Sequence, residues 1–532
     1  MDEYGAAVLG YCAFGCYGFA GARYYGLFDG DYANEWADFY FGSDIFAGLR
    51  GFIMKEWTIK TVHEAMAKGE LTCLELVRYY LERINKYDGK LHSIILVNPS
   101  AEEEATELAA RYQKEGFTGS LHGIPVILKD NVETKDMPTT AGSIALKGFE
   151  TYRDAFIVKK LKDAGALILA KANLHEFAIW GETVSSILGP TYNPYDLTRT
   201  PGGSSGGTGA AIAADFGIIG IGTDTINSVR SPSSANNLVG IRPTIGMVSR
   251  SGIVPYSLTQ DTAGPLCRTV EDAARTLSEI AGYDKEDEDT AWSYKKTTLF
   301  EEGIDEGTLY GKRIGVLRSF FGKEKVNEPV NKIMEQALGA LQNAGAELLE
   351  ITENIDSAWL TSEVSVHLDD FNDHLTAYLQ SFPADKIPVH SLREIYESGK
   401  YHPVDKGNME DALKLSTHSA HYNEKLLRQQ KVKNKIMKLI ADNRLDCIVY
   451  PHQQQLVCKI GDSQKQRNGV LCSVTGFPSV VVPAGFTSPE SDVPLGVPVG
   501  MEIIGEPWSE KRLLMIARAY EKAVKMRKTP EL

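Results

Sequence analysis

Basic residues are in the minority: 56 lysines and arginines stand against 70 aspartates and glutamates, for a formal charge of -14. A protein that wraps nucleic-acid phosphates needs a basic footprint, so this balance argues against nucleic acid as a partner. Cysteine is sparse. The seven present, at 12, 16, 73, 267, 447, 458 and 472, are odd in number and lack the two-pair spacing of a zinc site. Such a pattern excludes a disulfide framework and points to free thiols in a reducing, cytoplasmic setting. No internal repeat or low-complexity tract is present. No Gly-Lys-Ser or Gly-Lys-Thr follows the main glycine run, and no G-x-G-x-x-G spacing fits it, so it is not a phosphate cradle. What remains is ordinary for a soluble globular protein, with 43% hydrophobic and 24% charged residues.

Lysine is also missing from the first 53 residues, which nevertheless hold 15 of the chain's 49 aromatics. Residues 4–22 carry no charge. A signal peptide cleaved after Ala20-Gly21-Ala22 would need a basic start, whereas this one carries Asp2 and Glu3. Five glycines interrupt the same stretch, which is barely long enough to cross a membrane. Ordinary enzyme composition begins at Met54. The expectation is an atypical, dispensable extension over residues 1–53 and a functional domain over 54–532. A membrane or secreted form is left open only through that extension.

From Met54 the hydrophobic periods become regular. Thr72-x-x-Glu75 predicts a capping box for a helix with Leu74, Val77, Leu81 and Ile84 on one face. Ser100-x-x-Glu103 predicts a second box, on a helix closed near Gly116. Asp154 is expected to cap a helix that Gly165 ends, with residues 166–170 as the next strand. Asn327-x-Pro329 predicts a helix that turns Val330, Ile333, Ala337, Leu338 and Leu341 inward, stops at Gly345 and leads into a strand over 347–352. Residues 479–482 read as a buried strand and 509–524 as a terminal helix. Helix alternating with strand implies an α/β fold with crossovers and a largely parallel sheet. Residues 355–445 read as mostly helical and polar. The acidic run at 284–289 reads as a solvated loop rather than a metal site, because nothing in it fixes the carboxylates in one direction.

Glycine and serine are concentrated in residues 200–232, TPGGSSGGTGAAIAADFGIIGIGTDTINSVRSP. Ser204 sits in a first turn and Ser228 in a second, separated by a short helix predicted at 210–214 and a buried strand at 218–222. Gly202-x-Ser204-x-Gly206 has the spacing of a nucleophile elbow, although that motif needs a strand-to-helix turn and residues 198–201 read as loop. Upstream, residues 124–128 form an apolar strand that ends in Lys129. An ammonium this near a core is costly unless paired or neutral, and a neutral lysine is a base. No histidine lies in either serine turn. His452, at a distant strand end, would be the partner of Ser204 in a Ser-His-Asp arrangement. His175 reads as a helix-start residue rather than a base. The residues by themselves leave the lysine and histidine arrangements both open.

The block GGSSGG, followed by GTDT and Ser228-Val229-Arg230-Ser231-Pro232, resembles the amidase signature family of amide hydrolases, which includes the amide-hydrolysing component of glutamyl-tRNA amidotransferases. GIPVILKDN at 123–131 is similar to the family's lysine motif. The likeness extends through Lys171-Ala172-Asn173-Leu174, residues 281–290 and residues 475–486, and covers most of 54 to about 521. What the resemblance implies is a single large mixed β-sheet covered on both faces by helices, carrying a Ser-Ser-Lys triad. Ser228 matches the nucleophile, Ser204 the bridging serine after a cis peptide bond, and Lys129 the base. The N–H groups of Thr225, Ile226, Asn227 and Ser228 fall where the family has its oxyanion hole, and Ser205, Asp224 and Arg230 match supporting positions. Ile226-Asn227 departs from the family's usual Gly-Gly, which implies a narrower acyl pocket or an impaired enzyme. The implied reaction hydrolyses a carboxylic amide to acid and ammonia or amine through an acyl-serine. Its partner is a small-molecule amide, with no metal or organic cofactor, and a homodimer is compatible. Trp180, Tyr192 and residues 355–445 are expected to shape the pocket. Two alternatives stand beside this reading: a glutaminase-type subunit of an amidotransferase, and a non-catalytic binding protein on the same fold.

Overall fold

The computed structural model describes residues 56–532. The expected extension, its boundary at Met54, and Cys12 and Cys16 lie outside the described residues. Eleven strands form one sheet: β1 (Ile94–Val97), β2 (Pro125–Lys129), β3 (Leu167–Ala172), β4 (Ile219–Asp224), β5 (Val239–Arg242), β6 (Thr262–Cys267), β7 (Arg313–Leu317), β8 (Glu347–Ile351), β9 (Cys447–Pro451), β10 (Ser479–Phe486) and β11 (Pro498–Ile504). Their spatial order is β1-β3-β2-β4-β6-β5-β10-β11-β9-β7-β8. Strands β2, β3, β4, β6 and β9 are buried at every position. Because successive side chains point to opposite faces, complete burial requires cover on both sides. Each buried Val, Leu or Ile contributes about 1.5–3 kcal/mol, so this central layer is the main source of stability.

The sheet is mixed rather than largely parallel. Four strand pairs are parallel and six antiparallel. The helix-strand rhythm does produce parallel neighbours at β2 with β3 and β4, and at β7 with β8 and β9. Elsewhere the chain doubles back: β10 and β11 pair antiparallel across a helix-free connection, which needs no crossover.

Several helix starts follow the sequence, and others differ for local reasons. Thr72 and Glu75 form the expected reciprocal cap, with N–H to side-chain distances of 2.8 and 3.2 Å. The buried face of the helix Cys73–Leu91 is Leu76, Val77, Tyr80 and Ile84, leaving Leu74 and Leu81 half-buried. Ser100 makes no side-chain cap: its backbone (φ -98°, ψ 8°) is not in the extended conformation of a capping residue, and its N–H, which Glu103 would have accepted in the box, donates to Asn98 Oδ1 at 2.9 Å. Asp154 caps nothing either. It accepts the Lys135 N–H at 2.9 Å and pairs with Lys162 at 3.0 Å, and the helix Phe156–Asp163 begins after it. The helix Glu328–Asn343 buries the face read from the sequence.

The acidic run is only partly solvated: Lys285, Glu286 and Glu288 are exposed, but two of its carboxylates turn inward. Asp284 and Asp287 are buried, Ser249 Oγ donates to Asp284 at 2.6 Å, and the Arg250 guanidinium pairs with Asp287 and Asp289 at 2.5 and 2.7 Å. Acidity alone suggested exposure, and the distant arginine that neutralises the run could not be paired with it by spacing. Among the described residues no cluster of His, Cys, Asp and Glu is arranged to hold a metal ion. The five cysteines among them are free thiols. No described helix is long and apolar enough to cross a membrane.

Candidate active site

Strands β2 and β4 are parallel neighbours, so their carboxyl ends emerge side by side. One end delivers Lys129 and the other Thr223 and Asp224. Loops beyond the carboxyl ends of parallel strands are where sheets of this kind bind ligands. The loop that carries Ser204 enters the helix Gly206–Ala213, which begins inside the glycine run, four residues earlier than expected. Ser205 lies over β4 at Gly222, where an added Cβ would come within 2.7 Å of Ser205 Oγ, so only glycine allows this approach. The Gly203–Ser204 peptide bond is cis.

Lys129 is fully buried, with Nζ 2.7 Å from Ser204 Oγ and 2.8 Å from Thr223 Oγ1. Burial pulls its pKa down to about 7, against the opposing pull of the Asp261 and Asp224 carboxylates. Asn131 Nδ2 donates to the same threonine hydroxyl at 3.1 Å, which fixes the oxygen that Lys129 meets. The second serine turn is joined to the first through the backbone: Ser205 N–H donates to the Ser228 carbonyl at 3.2 Å. Ser228 is itself buried. Among the described residues, no hydrogen bond holds its hydroxyl, and the N–H groups of Thr225, Ile226, Asn227 and Ser228 donate to no protein acceptor. The turn thus presents a run of uncommitted donors around a serine.

A buried charge cluster sets the shape of that turn. Asp224 accepts the Val229 N–H at 3.0 Å, the Arg230 guanidinium at 2.9 and 3.0 Å, and Arg242 at 2.8 Å. Burial raises the Asp224 carboxyl, but Arg230 and Arg242 together hold it well below the usual carboxylate range. Arg230 also pairs with Glu502 and donates to the Ile226 carbonyl at 2.6 Å, to which Ser473 Oγ donates at the same distance. Thr225 Oγ1 donates to Asp261, which accepts the N–H groups of Tyr256 and Ser257. Arg230→Ala is expected to lower the unfolding free energy by about 3–5 kcal/mol, because Asp224 and Glu502 each lose a buried counter-charge. Urea titration of the two proteins measures the difference.

The structure brings Lys129, not His452, to Ser204. His452 is buried with Nδ1 2.8 Å from Glu502. His175 begins the short turn Glu176–Ala178, its ring is held 2.9 Å from Asp405, and its N–H donates to the Ser204 carbonyl at 3.0 Å. Residues missed by sequence reasoning are Asn131, Thr223, Arg242, Asp261 and Glu502. Two of them had a signal: Arg242 in VGIR and Glu502 in PVGMEII are charges inside apolar strands, a placement that demands a buried partner.

In front of the turn lies a cavity of about 650 Å3, with Ile226, Trp180 and His367 among its walls. Residues from the 355–445 region form much of the lining, while Tyr192 lies elsewhere, stacked edge-on against His92. Ile226 packs against a core cluster that includes Leu360, Val364 and Tyr450, so its side chain is accommodated where glycine was expected.

A family model described as Amidase matches residues 75–514. A probable amidase of Arabidopsis thaliana is 35% identical over 502 residues, covering 90% of this chain and 92% of that protein. A glutamyl-tRNA(Gln) amidotransferase subunit of Thermoanaerobacter pseudethanolicus is 32% identical, covering 89% and 98%. Among solved structures, the peptide amidase of Stenotrophomonas maltophilia superposes with a TM-score of 0.82 at 33% identity, covering 90% of this chain and 98% of that one.

Proposed function

Since the chain belongs to the amidase family and is an amide hydrolase, we propose that Lys129, Ser204 and Ser228 carry its reaction, with Ser228 as nucleophile. The observation that carries this reading is the 2.7 Å contact between Ser204 Oγ and a fully buried lysine whose pKa is near neutrality. Neutral Lys129 accepts the Ser204 proton as Ser204 accepts that of Ser228, and Ser228 Oγ forms a bond to the amide carbonyl carbon. The oxyanion is held by the uncommitted N–H groups of Thr225, Ile226, Asn227 and Ser228, with Ser205, Asp224 and Arg230 orienting that turn. Collapse breaks the C–N bond, and the proton returns through Ser204 to the leaving nitrogen. Water then attacks the acyl-Ser228 ester and gives its proton through Ser204 to Lys129; the bond from the acyl carbon to Ser228 Oγ breaks, and that proton returns through Ser204 to Ser228 Oγ as the carboxylic acid leaves. Lys129 ends neutral, as it began.

The test is release of ammonia from a panel of small amides and amidated peptides, the peptides being included because one structural neighbour is a peptide amidase. Purified protein without a partner is expected to release ammonia and to show a burst of alcohol from an activated ester. An amidotransferase component, the reading favoured by the Thermoanaerobacter relative, predicts ammonia release only with a partner protein. A binding protein on this fold predicts neither burst nor turnover.

A further inference from the structure

We propose that His367 is a specificity-determining residue whose Nε2–H donates a hydrogen bond to a second carbonyl of the substrate, selecting amides of acylated amino acids and peptides over simple alkyl amides. The inference rests on the amidase reading and adds the class of substrate its cavity takes.

His367 opens the helix His367–Gln380 and lines the cavity that Ile226 also borders. Ile226 belongs to the turn of free N–H donors, so a substrate whose amide lies at that turn extends past it towards the imidazole. His367 is 4% exposed, and its ring sits edge-on to Tyr256 at 5.7 Å. Its Nδ1 lies 2.7 Å from Ser365 Oγ. Nε2 has no partner among the described residues, yet it is absent from their sealed, unsatisfied atoms, so it remains open to the cavity.

The surrounding hydrogen bonds choose the tautomer. Gln260 Oε1 already accepts the Val366 N–H at 2.8 Å and Gln429 Nε2 at 3.2 Å, and Gln260 Nε2 donates to Ser365 Oγ at 3.0 Å. Ser365 Oγ also lies 3.1 Å from Gln260 Oε1, but two other donors already occupy that amide oxygen, so the Ser365 proton is assigned to the shorter 2.7 Å contact with His367 Nδ1, which leaves the ring hydrogen on Nε2. Burial pushes the His367 pKa down to about 3, with Lys425 and Arg467 adding to the effect, so the donor is neutral at working pH. The two cations in the cavity wall are committed elsewhere: Lys425 to Asp369 at 2.8 Å, and Arg467 to Glu182 at 2.6 Å. A neutral donor beside neutralised cations suits a carbonyl oxygen rather than a carboxylate.

The experiment compares N-acetyl-leucinamide with 4-methylpentanamide, which has the same side chain and scissile amide but no second carbonyl. The unmodified protein is expected to favour the first in kcat/KM. In His367→Phe the ratio of the two values should fall about tenfold, mainly through KM, the effect of one neutral hydrogen bond. His367→Gln, which keeps an N–H donor, should recover part of the ratio, which a purely structural role would not produce. An unchanged ratio in both variants, or an equal loss on both amides, overturns the proposal. If the unmodified protein hydrolyses neither amide, the reaction reading fails. Calorimetry then decides this proposal on its own: tighter binding of N-acetyl-leucinamide that His367→Phe erases supports it, and equal binding overturns it.

Discussion

Ser228→Ala is expected to lower kcat/KM for every amide by about 10,000-fold or more and to eliminate the acyl-enzyme burst with activated esters. The loss is large because the remaining groups have nothing to act on. The Ser204 hydroxyl is held by Lys129 at 2.7 Å, as the proposed relay requires, whereas among the described residues no hydrogen bond holds the Ser228 hydroxyl. Residual turnover comes from the oxyanion donors and binding alone, a pattern seen when one member of a nucleophilic constellation is removed. Rapid-mixing measurement of ester cleavage, with mass analysis of the trapped protein, checks both halves. If Ser228→Ala kept its burst while His452→Ala lost it, the nucleophile would be Ser204 in a histidine-based arrangement.

Activity should rise with pH through about 7 and level off above, and Lys129→Ala should lose about 1,000-fold or more in kcat/KM across the whole range. The base must be neutral to accept a proton, so the active fraction is the deprotonated one. Below pH 7 the ammonium form dominates and the relay stops. Stability follows with a defined sign. Lys129 binds a proton more weakly folded, at about 7, than unfolded, at 10.5, so the unfolded chain holds more protons between those values. Its contribution to folding is therefore least favourable below pH 7 and improves as pH rises towards 10.5. A pH–rate profile with a limb near 7 in the parent supports the neutral base. A limb displaced to the usual lysine range would remove Lys129 from that role.

The residues proposed to react were legible because their neighbours are unusual in composition. GGSSGG and an apolar strand ending in lysine are rare enough to be recognised, and β2 and β4 fell where short apolar runs predicted. Parallel pairing then brings Lys129 against Ser204 across 75 positions of chain. What the sequence concealed was mostly partnership across distance. Asp284 looked solvated until Ser249 and Arg250 met its run, and Asp154 looked like a cap until Lys162 claimed it. Sheet direction was misread for a similar reason. Antiparallel pairing of β5 with β6 and of β10 with β11 follows helix-free connections, whereas hydrophobic period identifies strands and is silent on which way they run.

The order of the chain separates two jobs. All three residues proposed to make and break bonds lie between positions 129 and 230, one at the end of β2 and two on turns that flank β4 and the helix before it. Much of the wall that a substrate's body would meet comes from residues 356–425, which fold as peripheral helices. Substitutions, insertions or grafts in that later segment can retune which molecule is accepted while the reacting atoms keep their spacing. A lineage can thus diversify its diet without reinventing its chemistry, and an engineer can leave the earlier stretch alone and vary the later one.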